Sequence, residues 1–374
     1  MKREIVGIGL LSLLSGSAHA QSSVTLYGAI DAGILYQSSA AASFSPTAPN
    51  TGKIVRYKDA GMHSSIWGMQ GSEDLGGGYR ANFRLQGVFD SGSGKFGLSD
   101  TTGVGAAFNQ IATVGISGPF GAVTIGRQFA PIINAMSTTD AREGHYFGSI
   151  LTAWISISAV SGWSGTNTNV PIGALYDSNA IVYRSPKFAG MTLALEYAPG
   201  GVAGQFQGGT RESAVLQYAY GGLNLSAGYY FGHDTNLAPG VAPTGLDNNR
   251  LLYLGALYRF NGFTVSGSFS SGKNPSNTGQ TDLQLYSAGF GYRFFPAFQV
   301  TSGFYYMKDM NDSANHSALY VIGGDYSLSK QTQLYGQVGE VINRGRMNQM
   351  IAYGQIVAPG VSTTAAMVGI RHSF

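Results

Sequence analysis

The chain contains no cysteine, which excludes a disulfide framework, a thiolate metal site and a cysteine nucleophile. Charge is scarce as well. Asp, Glu, Lys and Arg make up 11% of residues and mean hydropathy is +0.02, an unusually uncharged surface for a soluble protein of this size. Long apolar runs are missing: no stretch reaches about 18 apolar residues, so a spanning helix is excluded. The net charge of +3 is too weak to argue for nucleic acid. There is no G-x-S-x-G elbow and no Walker A run. His63, His145, His233, His316 and His372 lie far apart, without metal-ligand spacing. No catalytic residue, metal or cofactor is expected.

What is present begins with an address. Lys2 and Arg3 precede a short apolar core, Ile5 to Leu14, and Ala18-His19-Ala20 forms a small-x-small cleavage site. That core is about half the length a spanning helix needs. Residues 1–20 therefore read as a signal peptide and residues 21–374 as one domain, because Gly, Tyr and Phe recur along it with no compositional break.

Within that domain, period-two patterning recurs. Leu26, Gly28, Ile30, Ala32 and Ile34 alternate with Thr25, Tyr27, Ala29, Asp31 and Gly33. Tyr79, Ala81, Phe83 and Leu85 alternate with Arg80, Asn82, Arg84 and Gln86. At the C-terminus Val368, Ile370, His372 and Phe374 share one face, and Met367, Gly369, Arg371 and Ser373 the other. A sandwich would show the same alternation, but the connections separate the two folds. Short links such as Gly221-Gly222 and Asn261-Gly262 take turns with long ones such as 38–61, 129–177 and 343–361. Short turns on one rim and long loops on the other mark a transmembrane barrel. The spacing predicts sixteen strands, and a barrel of about that size leaves an aqueous channel. Aromatics near strand ends, including Tyr36, Phe260, Phe294 and Phe374, suit girdles at the two membrane interfaces. Parity puts Asp31, Asn82, Glu196 and Arg371 inward, Arg371 near the periplasmic mouth, with Phe374 outward.

Val24-Thr25-Leu26-Tyr27-Gly28, Trp67 to Gly78, Val114-Gly115-Ile116-Ser117, Gly126-Arg127-Gln128, Tyr183-Arg184-Ser185-Pro186 and Val368 to Phe374 occur in one order along the chain. Together they resemble the trimeric general porins of Gram-negative outer membranes, in particular their β-proteobacterial branch. The resemblance implies an all-β fold: a 16-stranded antiparallel barrel with long extracellular loops, the third folded into the pore. It also implies a homotrimer in outer-membrane lipid, passing ions and small hydrophilic solutes, with Phe374 read by the barrel-assembly machinery. Asp140 and Glu143 in the third loop would stand at the narrow point, facing Arg80, Arg84 and Arg127 of the wall. A family arginine is replaced by Ile66, and others by Gln110 and Tyr176. A thinned row of arginines implies modest charge selectivity.

Arg127 is a local puzzle, because Val123 and Ile125 share its parity. Either Gly126 marks a bulge or the strand is covered by protein on both faces. Two other functions stay open. A substrate-specific channel would show saturable uptake, and a barrel enzyme would need a Ser/His or Asp/His pair at the rim, which no spacing marks.

Overall fold

The computed structural model describes residues 23–43, 45–97, 105–162, 175–234, 244–245, 248–274 and 280–374; the expected signal peptide lies outside them. The described residues form seventeen strands in one antiparallel sheet. The first six are β1 (Ser23–Ala41), β2 (Asn50–Asp59), β3 (Ile66–Gly76), β4 (Tyr79–Val88), β5 (Ile111–Gly118) and β6 (Gly121–Phe129). Two helices follow, α1 (Pro131–Thr138) and α2 (Ile150–Ile155). The chain continues with β7 (Tyr176–Arg184), β8 (Met191–Ala198), β9 (Arg211–Tyr220), β10 (Leu223–His233), β11 (Asn248–Phe260) and β12 (Phe263–Asn274). It ends with β13 (Thr281–Phe295), β14 (Phe298–Asp309), β15 (His316–Ser327), β16 (Thr332–Asn343) and β17 (Thr363–Ser373).

The sheet closes on itself. β17 pairs with β1 from Ala29↔Ser373 to Gln37↔Ala365, so no edge is left to face lipid. The Phe374 amide and carbonyl bond to Gly28 at 3.0 and 3.1 Å. The Phe374 ring lies across that residue, where a Cβ would come within 2.5 Å of it.

β2 and β3 occupy one place beside β1, so the barrel is 16 strands around. β2 pairs with the upper half of β1 and β3 with the lower half. The segment expected as the first long loop is thus largely a hairpin. Between Asp59 and Ile66 the strand is interrupted by residues 60–65, opposite only the short step from Ala32 to Ala29. The surplus residues form a bulge turned toward the interior, because Asp31 on the inward face captures its amides. Asp31 Oδ1 accepts from Gly61 N at 3.0 Å, and Oδ2 from Met62 N and His63 N at 2.9 and 3.0 Å.

Alternation divides the two faces as the sequence predicts. Leu26, Ile34, Val114, Ile125, Tyr320 and Val368 are exposed on the outside, while Leu35, Tyr230, Leu251, Tyr305 and Met367 are buried on the inside. The interior holds a packed core rather than polar side chains alone. Three segments meet there: the bulge, the long connection after β6, and the last long connection after β16. Tyr146 N donates to Met62 O, Gly148 N to Ile351 O and Tyr353 N to Tyr146 O, at 2.7–2.8 Å.

Candidate conduction path

The connection between β6 and β7 is held inside the barrel by its apolar face and by hydrogen bonds to the wall. α1 begins with Pro131, which suits a first helical turn, and buries Ile132, Ile133, Ala135 and Met136 against β8–β11. α2 is capped by Ser149, whose Oγ accepts from Leu151 N and Thr152 N, and all its side chains are buried. Thr139 bonds Tyr253 (2.6 Å), Ala141 N donates to Ser266 Oγ (3.0 Å) and Trp154 Nε1 to Ser270 Oγ (2.9 Å).

Arg142, which no sequence signal marks, is the strongest anchor. Its guanidinium is fully buried. It donates to Gly148 O and Phe147 O of its own loop, to Thr301 Oγ1 at 2.8 Å on β14 and to Gln337 Oε1 on β16. A buried charge is tolerable when its donors are satisfied, and here every acceptor is neutral. Burial pulls its pKa down.

The two loop carboxylates have different fates. Asp140 is buried; its Oδ1 accepts from Tyr305 OH at 2.7 Å, and its Oδ2 from Gly144 N and Ile150 N. Burial pushes its carboxyl up. Its charge is therefore withdrawn from the lumen. Glu143 is exposed and pairs with Arg259 at 3.0 Å. Its backbone lies at φ 53°, in the left-handed region beside Gly144 at φ 70°.

With these segments packed along β8–β16, open space remains on the opposite side. A cavity of about 590 Å³ is lined by Arg84 and Arg184, by Gln70, Asn82, Thr113 and Gln128, and by Asn134 of α1. Among the described residues no carboxylate lines it. Arg84 is held in place: Nε donates to Tyr27 OH at 2.8 Å, Nη2 to Gln86 Oε1 at 2.7 Å, and its guanidinium lies 5.4 Å from the Tyr27 ring. Asn82 donates to Ser117 Oγ at 2.9 Å. Arg80 is exposed opposite Asp74, next to the short turn.

Above Arg84 the wall is sealed. Gln86 donates to Gln110, and Gln110 to Tyr176 OH; Gln110 and Tyr176 stand where the resemblance implies arginines. All three are buried. Arg127 lies 5.5 Å from the Tyr176 ring and donates to Asn109 O and Ser178 Oγ at 2.6 and 2.7 Å. Of the two accounts of its parity, the bulge is the one observed. Gly126 sits at φ 124°, Asn179 at φ 60°, and the β6–β7 register shifts between Gly126 and Gln128.

Asp31 and Arg371 face inward; Asp31 is sealed beneath the bulge, and Arg371 is half-buried against it. Asp31 also accepts from Tyr335 OH at 2.7 Å. Arg371 stands 3.5 Å from Asp31 and donates to His63 O and Ser64 O. Three further inward arginines are absent from the expected set, although parity alone marks them. Arg259 lies between outward Tyr258 and Phe260, Arg293 between Tyr292 and Phe294, and Arg184 follows outward Tyr183.

The pattern of the Gram-negative porin family matches residues 8–346. Outer membrane porin protein 32 of Delftia acidovorans is 28% identical over the whole of both chains, and the major outer membrane protein P.IB of Neisseria gonorrhoeae 27% over the whole of both. Among solved structures, an anion-selective porin from Comamonas acidovorans superposes with TM-score 0.77 at 24% identity, covering 95% of this chain and all of that one; this likeness supports the fold. A closed barrel with lipid-compatible outside, a polar passage inside and whole-length relatives of one kind leave a single assignment: the chain belongs to the Gram-negative porin family and forms a channel in the outer membrane.

Proposed function

We propose that this porin is a modestly anion-preferring pore for ions and small hydrophilic solutes, narrowed by the loop between β6 and β7. The observation that carries this reading is the charge balance of the open passage. Among the described residues Arg84 and Arg184 line it and no carboxylate does; Glu196, which acts on Arg184, is buried, Asp140 is buried and Glu143 is taken up by Arg259. In a narrow passage with low-dielectric walls such fixed charges act more strongly than in bulk water. The Comamonas acidovorans porin of similar fold is itself anion-selective.

Residues 1–20 serve as a cleaved export signal, and the barrel works as a homotrimer through the first strands, where outward Ala32 and Gly118 are small; Gly115 lines the internal cavity instead, and Gly28 is covered by the Phe374 ring. Phe374 serves the barrel-assembly machinery, and no residue has a catalytic role. Planar-bilayer recording in a salt gradient tests the reading. A reversal potential of the sign set by anion flow, with conductance steps in threes, supports it. Cation preference, or uptake that saturates with competition between solutes, counts against it.

A further inference from the structure

A second, smaller cavity lies inside the barrel, on the β11–β14 side of the inner loop. It measures about 230 Å³ and sits at the short-turn rim, between the turn at Asn261-Gly262 and the loop residues Ala141 and Glu143. None of its lining residues is shared with the cavity that Arg84 and Arg184 line. Its wall is two inward rows of the ladder. In the first, Arg259 stands opposite Thr264, Thr264 opposite Gly291 and Gly291 opposite Thr301; Gly291 has no side chain, which leaves the space between the two threonines unfilled. In the second row, closer to the turn after β13, Arg293 stands opposite Gln299 and Gln299 opposite Asp325.

The charges of this pocket are fixed in place by their neighbours. Asp325 is buried and can only accept, so the Gln299 amide turns its Nε2 to Asp325 Oδ2 at 3.2 Å and its Oε1 to Arg293 Nη2 at 2.6 Å. That relay holds the Arg293 guanidinium at the pocket, where it is in no ion pair among the described residues. Across from it Glu143 and Arg259 form their 3.0 Å pair, with both side chains about half exposed and so open to a further partner. Counting Asp325, two arginines face two carboxylates, and the pocket is neutral with its charges separated. A simple anion would meet Glu143 and a simple cation would meet the arginines, whereas a small molecule carrying both signs on adjacent groups complements the arrangement. We propose that this pocket holds a free α-amino acid, its carboxylate between Arg259 and Arg293 and its ammonium on Glu143. The forked guanidinium suits a carboxylate. Because the pocket stands apart from the passage, a bound amino acid leaves the passage open and rests beside the short-turn mouth.

The test uses purified full-length protein in mild detergent, titrated with three probes: L-alanine, N-acetyl-L-alanine, which lacks the ammonium, and L-alaninamide, which lacks the carboxylate. Saturation-transfer NMR reads the bound probe. L-alanine is expected to bind saturably and each analogue at least fivefold more weakly. Arg293→Gln should weaken L-alanine binding at least fivefold. Thr264→Phe, which fills the pocket without altering charge, should weaken it too and serves where Arg293→Gln fails to fold. Arg84→Gln, in the passage, should leave it unchanged. Absence of saturable L-alanine binding, equal binding of either analogue, or no loss in the Arg293 and Thr264 variants overturns the proposal. A comparable loss in Arg84→Gln overturns it as well, since the amino acid would then sit in the passage.

Discussion

Glu143 Oε1 and Arg259 Nη2 stand 3.0 Å apart, with the two side chains 50% and 45% exposed. The pair joins the inner loop to the wall on the β11 side, away from the cavity that Arg84 and Arg184 line. The exposed carboxylate of this loop therefore balances a neighbouring arginine instead of the arginines of that cavity.

Removing that carboxylate should change selectivity more than stability. An exposed pair contributes about 0–1 kcal/mol, so Glu143→Gln is expected to leave thermal unfolding nearly unchanged. It frees the Arg259 charge and should move the reversal potential further in the anion direction. An unchanged potential would show that Glu143 lies outside the ion path.

Arg84→Gln and Arg184→Gln should act in the opposite sense. A unit charge about 4 Å away is worth about 1 kcal/mol even in water, roughly fivefold in local anion concentration. Each variant is expected to lower the anion-to-cation permeability ratio two- to fivefold, and the double variant to bring it near unity. Bilayer recordings at low salt, where screening is least, give the clearest reading.

Arg142→Ala should loosen the inner loop without opening the barrel. Thr301, Gln337 and two loop carbonyls would lose their donor, at a cost of about 3 kcal/mol to loop docking. The expected result is noisier open-channel current and faster proteolysis within residues 139–149, with the β-sheet signal in circular dichroism preserved.

Acid should weaken the same region. His63 in the bulge is held down to about 4, chiefly by burial and then by Arg371, with Asp31 opposing. His145 is also lowered, by burial, Arg142 and His63, and the two rings meet edge to face at 5.2 Å. Both are favoured neutral in the folded state. Their contribution to stability is present above the unfolded value near 6.5 and is lost as pH falls from there toward about 4. Asp140 has the opposite sign: its raised value favours the protonated form, so its contribution is lost as pH rises above the ordinary carboxylate range. Loop proteolysis and channel closures are expected to increase between about pH 6.5 and 4.5, and His63→Gln should flatten that dependence.

The strands, their two faces and the barrel were legible in the sequence because a half-lipid, half-water wall imposes a local period of two, as in Tyr79 to Leu85 against Arg80 to Gln86. The same rule reaches Arg184, Arg259 and Arg293. It does not reach what the inward side chains meet. Asp31, Asp140 and Arg371 obey parity or the expected loop position, yet Asp31 and Asp140 are buried, and Arg371 is partly covered, by residues far away in sequence: Tyr335 at Asp31, Tyr305 at Asp140, and the bulge at Arg371.

Local pattern is thus enough to define the class of molecule: an alternating chain with no spanning helix, closed through its last strand onto its first. Which charges face water is settled only in three dimensions. Two long connections and a bulge fold back into the barrel, and desolvation and hydrogen bonding sort the ionisable groups there by neighbours that no local pattern encodes. Arg84 and Arg184 line the open cavity, while Arg142 fastens the loop between β6 and β7 inside the barrel.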